Sequence, residues 1–204
     1  MLIAIFYLAI TVEGMTAALS AGRRNMDWVG VCLLACVTAL GGGSVRDMLL
    51  GNYPLPWVAN PHYLLVVIGA AAATIILARF LDRLKTAFLL LDALGLVTFT
   101  IIGCNVAIAL EQPLLIVIVA GMITGCTGGV IRDVLCNEVP LLFRGELYAS
   151  VSIITGVIYL AGEYTPLPHD AVTAIALVFG FALRALAIFR KWEMPRFVYT
   201  RDWH

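Results

Sequence analysis

Seven times along its 204 residues this chain runs apolar for close to twenty positions, the length that carries an α-helix across a bilayer. Charge, proline and glycine interrupt the runs and leave spans at about 2–20, 28–50, 62–79, 87–109, 114–136, 148–162 and 170–189. The connections are too short to hold a separate soluble domain. Only 13% of the residues are charged and 62% are hydrophobic, against roughly 25% charged in a soluble domain. The expectation is a single transmembrane domain over 1–204, an all-α membrane protein of seven transmembrane helices.

Thirteen Lys and Arg balance thirteen Asp and Glu, so no net field draws in nucleic acid, and charge matters by position. Cations follow alternate spans: Arg23 and Arg24, then Arg79, Arg83 and Lys85, then Arg144, then Arg190, Lys191, Arg196 and Arg201. The connections 51–61, 110–113 and 163–168 carry neither Lys nor Arg. Cytoplasmic loops collect these cations, which predicts the N-terminus outside, the C-terminus in the cytoplasm, and residence in a cell (inner) membrane. The aromatic, basic tail 190–204 suits the lipid headgroups. The first run has no basic segment before it and reads as a span, not a signal peptide. The five cysteines fall in apolar stretches and the three histidines lie apart, giving no metal-ligand spacing.

Sliding the sequence 86 positions against itself reveals a repeat. Thr38, Gly42, Gly43, Arg46, Asp47, Leu49, Pro54 and Leu55 fall on Thr124, Gly128, Gly129, Arg132, Asp133, Leu135, Pro140 and Leu141. Repeat one covers about 2–79 and repeat two about 87–162. Each holds three spans, an odd number, so the second copy enters from the opposite face: a 3+3 inverted repeat with a seventh helix at about 170–189 and a tail beyond it.

The repeated core reads Gly41-Gly42-Gly43-Ser44-Val45-Arg46-Asp47 and Thr127-Gly128-Gly129-Val130-Ile131-Arg132-Asp133. Interior glycines weaken a helix, and carbonyls freed there are tolerated in a membrane only against protein or a watery cavity. The core thus predicts a hinge in the second and fifth spans at Gly41–Gly43 and Gly128–Gly129. Gly42 lies about 4–5 Å from the bilayer centre and Arg46 about 10 Å, with the second copy mirrored. Four charges at that depth require partners or water. Ser44, Arg46, Asp47, Thr124, Thr127, Arg132 and Asp133 are the candidates for lining or gating a path. The same residues also suit packing: Ala35, Ala39 and Gly43, with Gly121, Gly125 and Gly129, form small-residue runs for a close helix crossing. On that reading Arg46 and Arg132 tie the repeats together through Asp133 and Asp47. Glu13, Asp92 and Asn105 are further polar residues inside spans. Glu13 fits a local cap or ion pair as well as a functional site, and Asp92 lies near enough to Lys85 to be solvated.

The GGGSVRD and GGVIRD cores, the AGRRNMDWVGV connection and the LDALGLVTFTIIG opening of the fourth span resemble the prokaryotic branch of the trimeric intracellular cation (TRIC) channels, over about residues 5–190. The resemblance implies a homotrimer with one pore per subunit, passing monovalent cations, mainly potassium, with no cofactor. Animal members hold a phosphoinositide through basic residues of the fourth helix, whereas 87–109 here contain no Lys or Arg. Bacterial relatives are also described as a glycine-transporter domain. Two functions follow: a potassium channel using carbonyls at the glycine breaks, or a secondary transporter for a small zwitterion such as glycine. A purely structural bundle is a third class. No nucleophile, metal cluster or phosphate loop points to an enzyme.

Overall fold

The computed structural model describes residues 1–78, 84–144 and 147–195. Among these residues five helices are long and apolar enough to cross a membrane: α1 (Leu2–Arg23), α2 (Trp28–Leu50), α5 (Leu84–Ala109), α6 (Leu114–Leu135) and α8 (His169–Arg190). Two shorter apolar helices accompany them, α4 (His62–Ala78) and α7 (Ala149–Glu163). A four-residue helix α3 (Pro56–Ala59), opened by a proline at its first turn, and a 3-10 turn (Leu141–Phe143) complete the described elements.

The repeat is visible down to the backbone. The α1–α2 turn passes through Asn25 and the α5–α6 turn through Glu111, both left-handed at φ 54° and 53°. Likewise α2 ends on Gly51 and α6 runs out at Asn137, at φ 68° and 53°. Each pair is separated by the repeat spacing, and α3 and the 3-10 turn fall in corresponding connections of the two copies. Local chemistry reinforces the boundaries: the Asp27 side chain accepts from the Gly30 amide at 2.7 Å, capping α2, and the Gly51 amide returns to the Asp47 carbonyl.

Within each copy the first helix packs on the second and third; between copies α1 meets α5 and α2 meets α6, while α8 lies against α5 and α7. The cationic connections that are described gather at one end. Arg24 pairs with Glu138, which also holds Arg144 at 3.0 Å; Arg23 lies over the Phe88 ring, and Lys85 and Lys191 flank one cleft. Arg79, Arg83 and tail residues 196–204 lie outside the described residues.

Candidate functional site

The two glycine cores meet back to back. A methyl group on Gly42 would strike the backbone carbonyl of Thr124, and one on Gly128 would come within 2.5 Å of the carbonyl of Thr38. These reciprocal contacts make α2 and α6 antiparallel and place their crossing between Thr38 and Gly42. By helix rise, Arg46 and Arg132 sit about 9 Å from the crossing in opposite directions.

The expected helix breaks are absent: α2 and α6 continue unbroken through Gly41–Gly43 and Gly128–Gly129. Here glycine removes side chains so that backbone meets backbone, and that contact offsets its weak helix propensity. The small-residue run of α6 also serves a different neighbour from the expected one. Gly121 abuts Cys104 and Thr100 of α5, and Gly125 abuts Thr100 and Leu96. Among the described residues a methyl group on Gly43 would approach only Arg46, at 3.8 Å, and one on Gly129 would stand 3.0 Å from the Tyr148 hydroxyl.

Nor do the arginines exchange aspartates across the repeats. Arg46 donates to its own neighbour Asp47, from Nε to Oδ1 at 3.0 Å and from Nη2 to Oδ2 at 2.7 Å, and Asn52 adds a bond to Oδ1 at 2.8 Å. Arg132 donates from Nε to Asp133 Oδ1 at 2.9 Å, and the Leu141 amide donates to Asp133 Oδ2 at 3.0 Å. Two fully desolvated charges gain most from the nearest fork-shaped partner, which the next residue on the same turn supplies.

Arg132 gathers much more. Its Nη1 donates to Asp92 Oδ1 at 2.8 Å and to Thr16 Oγ1 at 3.1 Å, and stands 3.8 Å from Glu13 Oε2. Thr16 in turn donates to Glu13 Oε2 at 3.0 Å. The Phe88 ring lies 4.7 Å from the guanidinium carbon, and the Tyr148 hydroxyl donates to Asp92 Oδ1 at 3.4 Å. Glu13 thus has both a local bond, from Thr16, and an ion pair, whose cation comes from the other repeat, while Asp92 is not solvated; both are buried around one arginine. Asn105 stands apart and donates to the Tyr159 hydroxyl at 3.1 Å. Ser44 donates to the Leu40 carbonyl and accepts from Trp57 Nε1, Thr124 donates to the Ala120 carbonyl, and Thr127 is half-buried.

Cavities flank the crossing. One of about 20 Å³, one water's space, is lined by Arg46, Ser44, Trp57, Phe6, Phe99 and Ile102, among others. The other, about 160 Å³, is lined by Asp133, Glu138, Arg144, Arg23, Ser20 and Phe88, among others.

A family model described as Glycine transporter matches the chain at residues 3–79 and again at 89–164. The solved TRIC trimeric intracellular cation channel orthologue from Rhodobacter sphaeroides superposes with a TM-score of 0.88 at 30% identity, over 93% of this chain and 98% of that one. The chain belongs to the prokaryotic TRIC channel family. A prokaryotic TRIC channel solved in 0.5 M KCl is 31% identical, with a TM-score of 0.87 over 93% of this chain and 96% of that one. The inner membrane protein YadS of Escherichia coli K12 is 39% identical over 91% of both chains.

In this TRIC-family chain several residues of the charge network escape a reading of the repeat alone. Thr16, Phe88 and Tyr148 look like ordinary span residues until three helices converge on Arg132. Arg184 of α8 is buried, donates to the Leu147 carbonyl at 3.2 Å and lies 5.0 Å from the Tyr148 ring centre. An arginine in mid-span is itself a signal, but α8 lies outside the repeat that marks Arg46 and Arg132.

Proposed function

We propose that the protein is a channel for monovalent cations, chiefly potassium, working as a homotrimer in the cell inner membrane with one path through each subunit. Seven helices, α1, α2 and α4 to α8, cross the bilayer, with the N-terminus outside and the C-terminus in the cytoplasm. The observation that carries the reading is the pair of cavities on opposite sides of the α2–α6 crossing, each touching one Arg-Asp pair. The path runs from the Arg46 cavity, past Gly42 and Gly128, to the Asp133 cavity, and tight backbone contact at the crossing makes this a closed state. Opening requires α2 and α6 to separate there, exposing Thr38 and Thr124 carbonyls and hydroxyls to replace part of an ion's hydration. Asp47 and Asp133 supply the negative charge along the way. The channel needs no cofactor, and surrounding lipid is its remaining partner. The likeness to the solved TRIC trimeric intracellular cation channel orthologue supports this assignment.

A carrier for a small zwitterion is the second reading, favoured by the family model's description. Proteoliposomes separate the two. A potassium gradient should drive uncoupled flux that stays nearly unsaturated as concentration rises, because fast conduction needs weak sites. Absent potassium flux with saturating uptake of labelled glycine would replace the channel with the carrier.

A further inference from the structure

The two copies differ at the one place where their arginines should be most alike. In copy two, Arg132 Nη1 takes a carboxylate oxygen of Asp92 and the hydroxyl of Thr16, with Glu13 nearby. The repeat spacing puts Phe6 where Asp92 would be, Phe99 where Glu13 would be, and Ile102 where Thr16 would be. All three line the cavity beside Arg46. Correspondingly, Arg46 Nη1 is buried and has no hydrogen-bond partner among the described residues, and Arg46 is itself only 3% exposed.

A buried guanidinium nitrogen without an acceptor is costly, and Arg46 lines a space of about 20 Å³. We propose that this cavity is a binding site for a small monovalent anion, a halide, held by Arg46 Nη1 in the place that Asp92 Oδ1 occupies in copy two. Charge-assisted acceptors bind a guanidinium more strongly than neutral ones, which favours an anion over water. Copy two provides the precedent, since three carboxylates stand within 3.8 Å of Arg132. The rings of Phe6, Phe99 and Trp57 close the rest of the site, and aromatic edges carry the positive end of the ring quadrupole.

The site occupies the same cavity as the outer end of the proposed path, but anion binding there does not depend on which solute is transported, so its test avoids flux. Thermal unfolding of the purified protein is followed in potassium gluconate as chloride, bromide or acetate replaces gluconate at constant potassium. The midpoint should rise by about 3–6 °C once the free anion is ten times its Kd. A response to chloride and bromide without one to acetate, which is too large for the space, is the expected result. Crystals grown in bromide should give an anomalous peak within hydrogen-bond distance of Arg46 Nη1. Phe6→Asp installs the acceptor of copy two and should abolish the response. No shift with either halide, an equal shift with acetate, a bromide peak elsewhere, or an undiminished shift in Phe6→Asp would overturn the site. Should Phe6→Asp fail to fold, the bromide position in the unaltered protein decides.

Discussion

Arg132 on α6 donates to Asp92 on α5 across 2.8 Å, with neither side chain exposed. Around them Glu13, Thr16 and Asp133 bring α1 into the same network, so one guanidinium ties both repeats. Removing one member of a buried ion pair costs about 3–5 kcal/mol because its partners remain uncompensated. Arg132→Gln strands three carboxylates, whereas Arg46→Gln strands one. Thermal unfolding in detergent should therefore show a larger loss for Arg132→Gln, and equal losses would deny the network its structural role.

The glycines divide by what stands opposite them. Gly42→Ala and Gly128→Ala force a methyl into a carbonyl, and overpacking of this kind costs about 1–3 kcal/mol. Gly43→Ala meets only the end of Arg46 at 3.8 Å, so it should gain up to about 1 kcal/mol of helix propensity. Gly129→Leu, driven towards Tyr148, should damage folding or flux more than Val130→Leu. Unfolding midpoints of the purified variants check the ranking, and a Gly42→Ala protein as stable as Gly43→Ala would contradict the backbone crossing.

Asp47→Asn and Asp133→Asn each remove a negative charge beside the proposed path and leave an arginine unbalanced. At intermediate dielectric the barrier to a cation should rise by roughly 1–3 kcal/mol, about fivefold to a hundredfold in rate. Potassium flux is measured on variants that keep the trimer and a normal unfolding midpoint. Unchanged flux in both would move the path away from these pairs.

Most of the architecture was legible in the sequence because lipid imposes it: span lengths, the cation bias and the repeat each follow from residues read in order. What stayed hidden was which partner each group chose. Glycine pairs signal weak helix and close approach alike, and only the Thr38 and Thr124 carbonyls standing opposite select close approach. Asp92 reads as near the interface by its distance from Lys85, yet α1 and α6 fold over it. Pairing of Arg46 with Asp47 rather than Asp133 depends on the antiparallel register, which carries the two motifs to opposite ends of the crossing.

Cysteine labelling tests the proposed orientation separately from function. In a cysteine-free background Gln112→Cys, between α5 and α6, should react with an impermeant reagent from outside, and Lys191→Cys, beyond α8, only from the cytoplasm. Arg83→Cys should behave as Lys191→Cys does. The reverse pattern would show that the Lys and Arg bias misreports orientation.

The Arg132 network also sets an order on biogenesis. Thr16 and the adjoining Glu13 leave the ribosome early, and the guanidinium that Thr16 accepts from lies 116 positions further along the chain. Until α6 is inserted, α1 waits in the bilayer with a carboxyl group whose final partner has not been synthesised. The first three-helix unit is therefore a provisional assembly, sealed only when the second arrives. If the gene were cut between α4 and α5, the amino-terminal fragment made alone should be a ready substrate for membrane proteases, and its lifetime should lengthen once the carboxy-terminal fragment is made in the same cell.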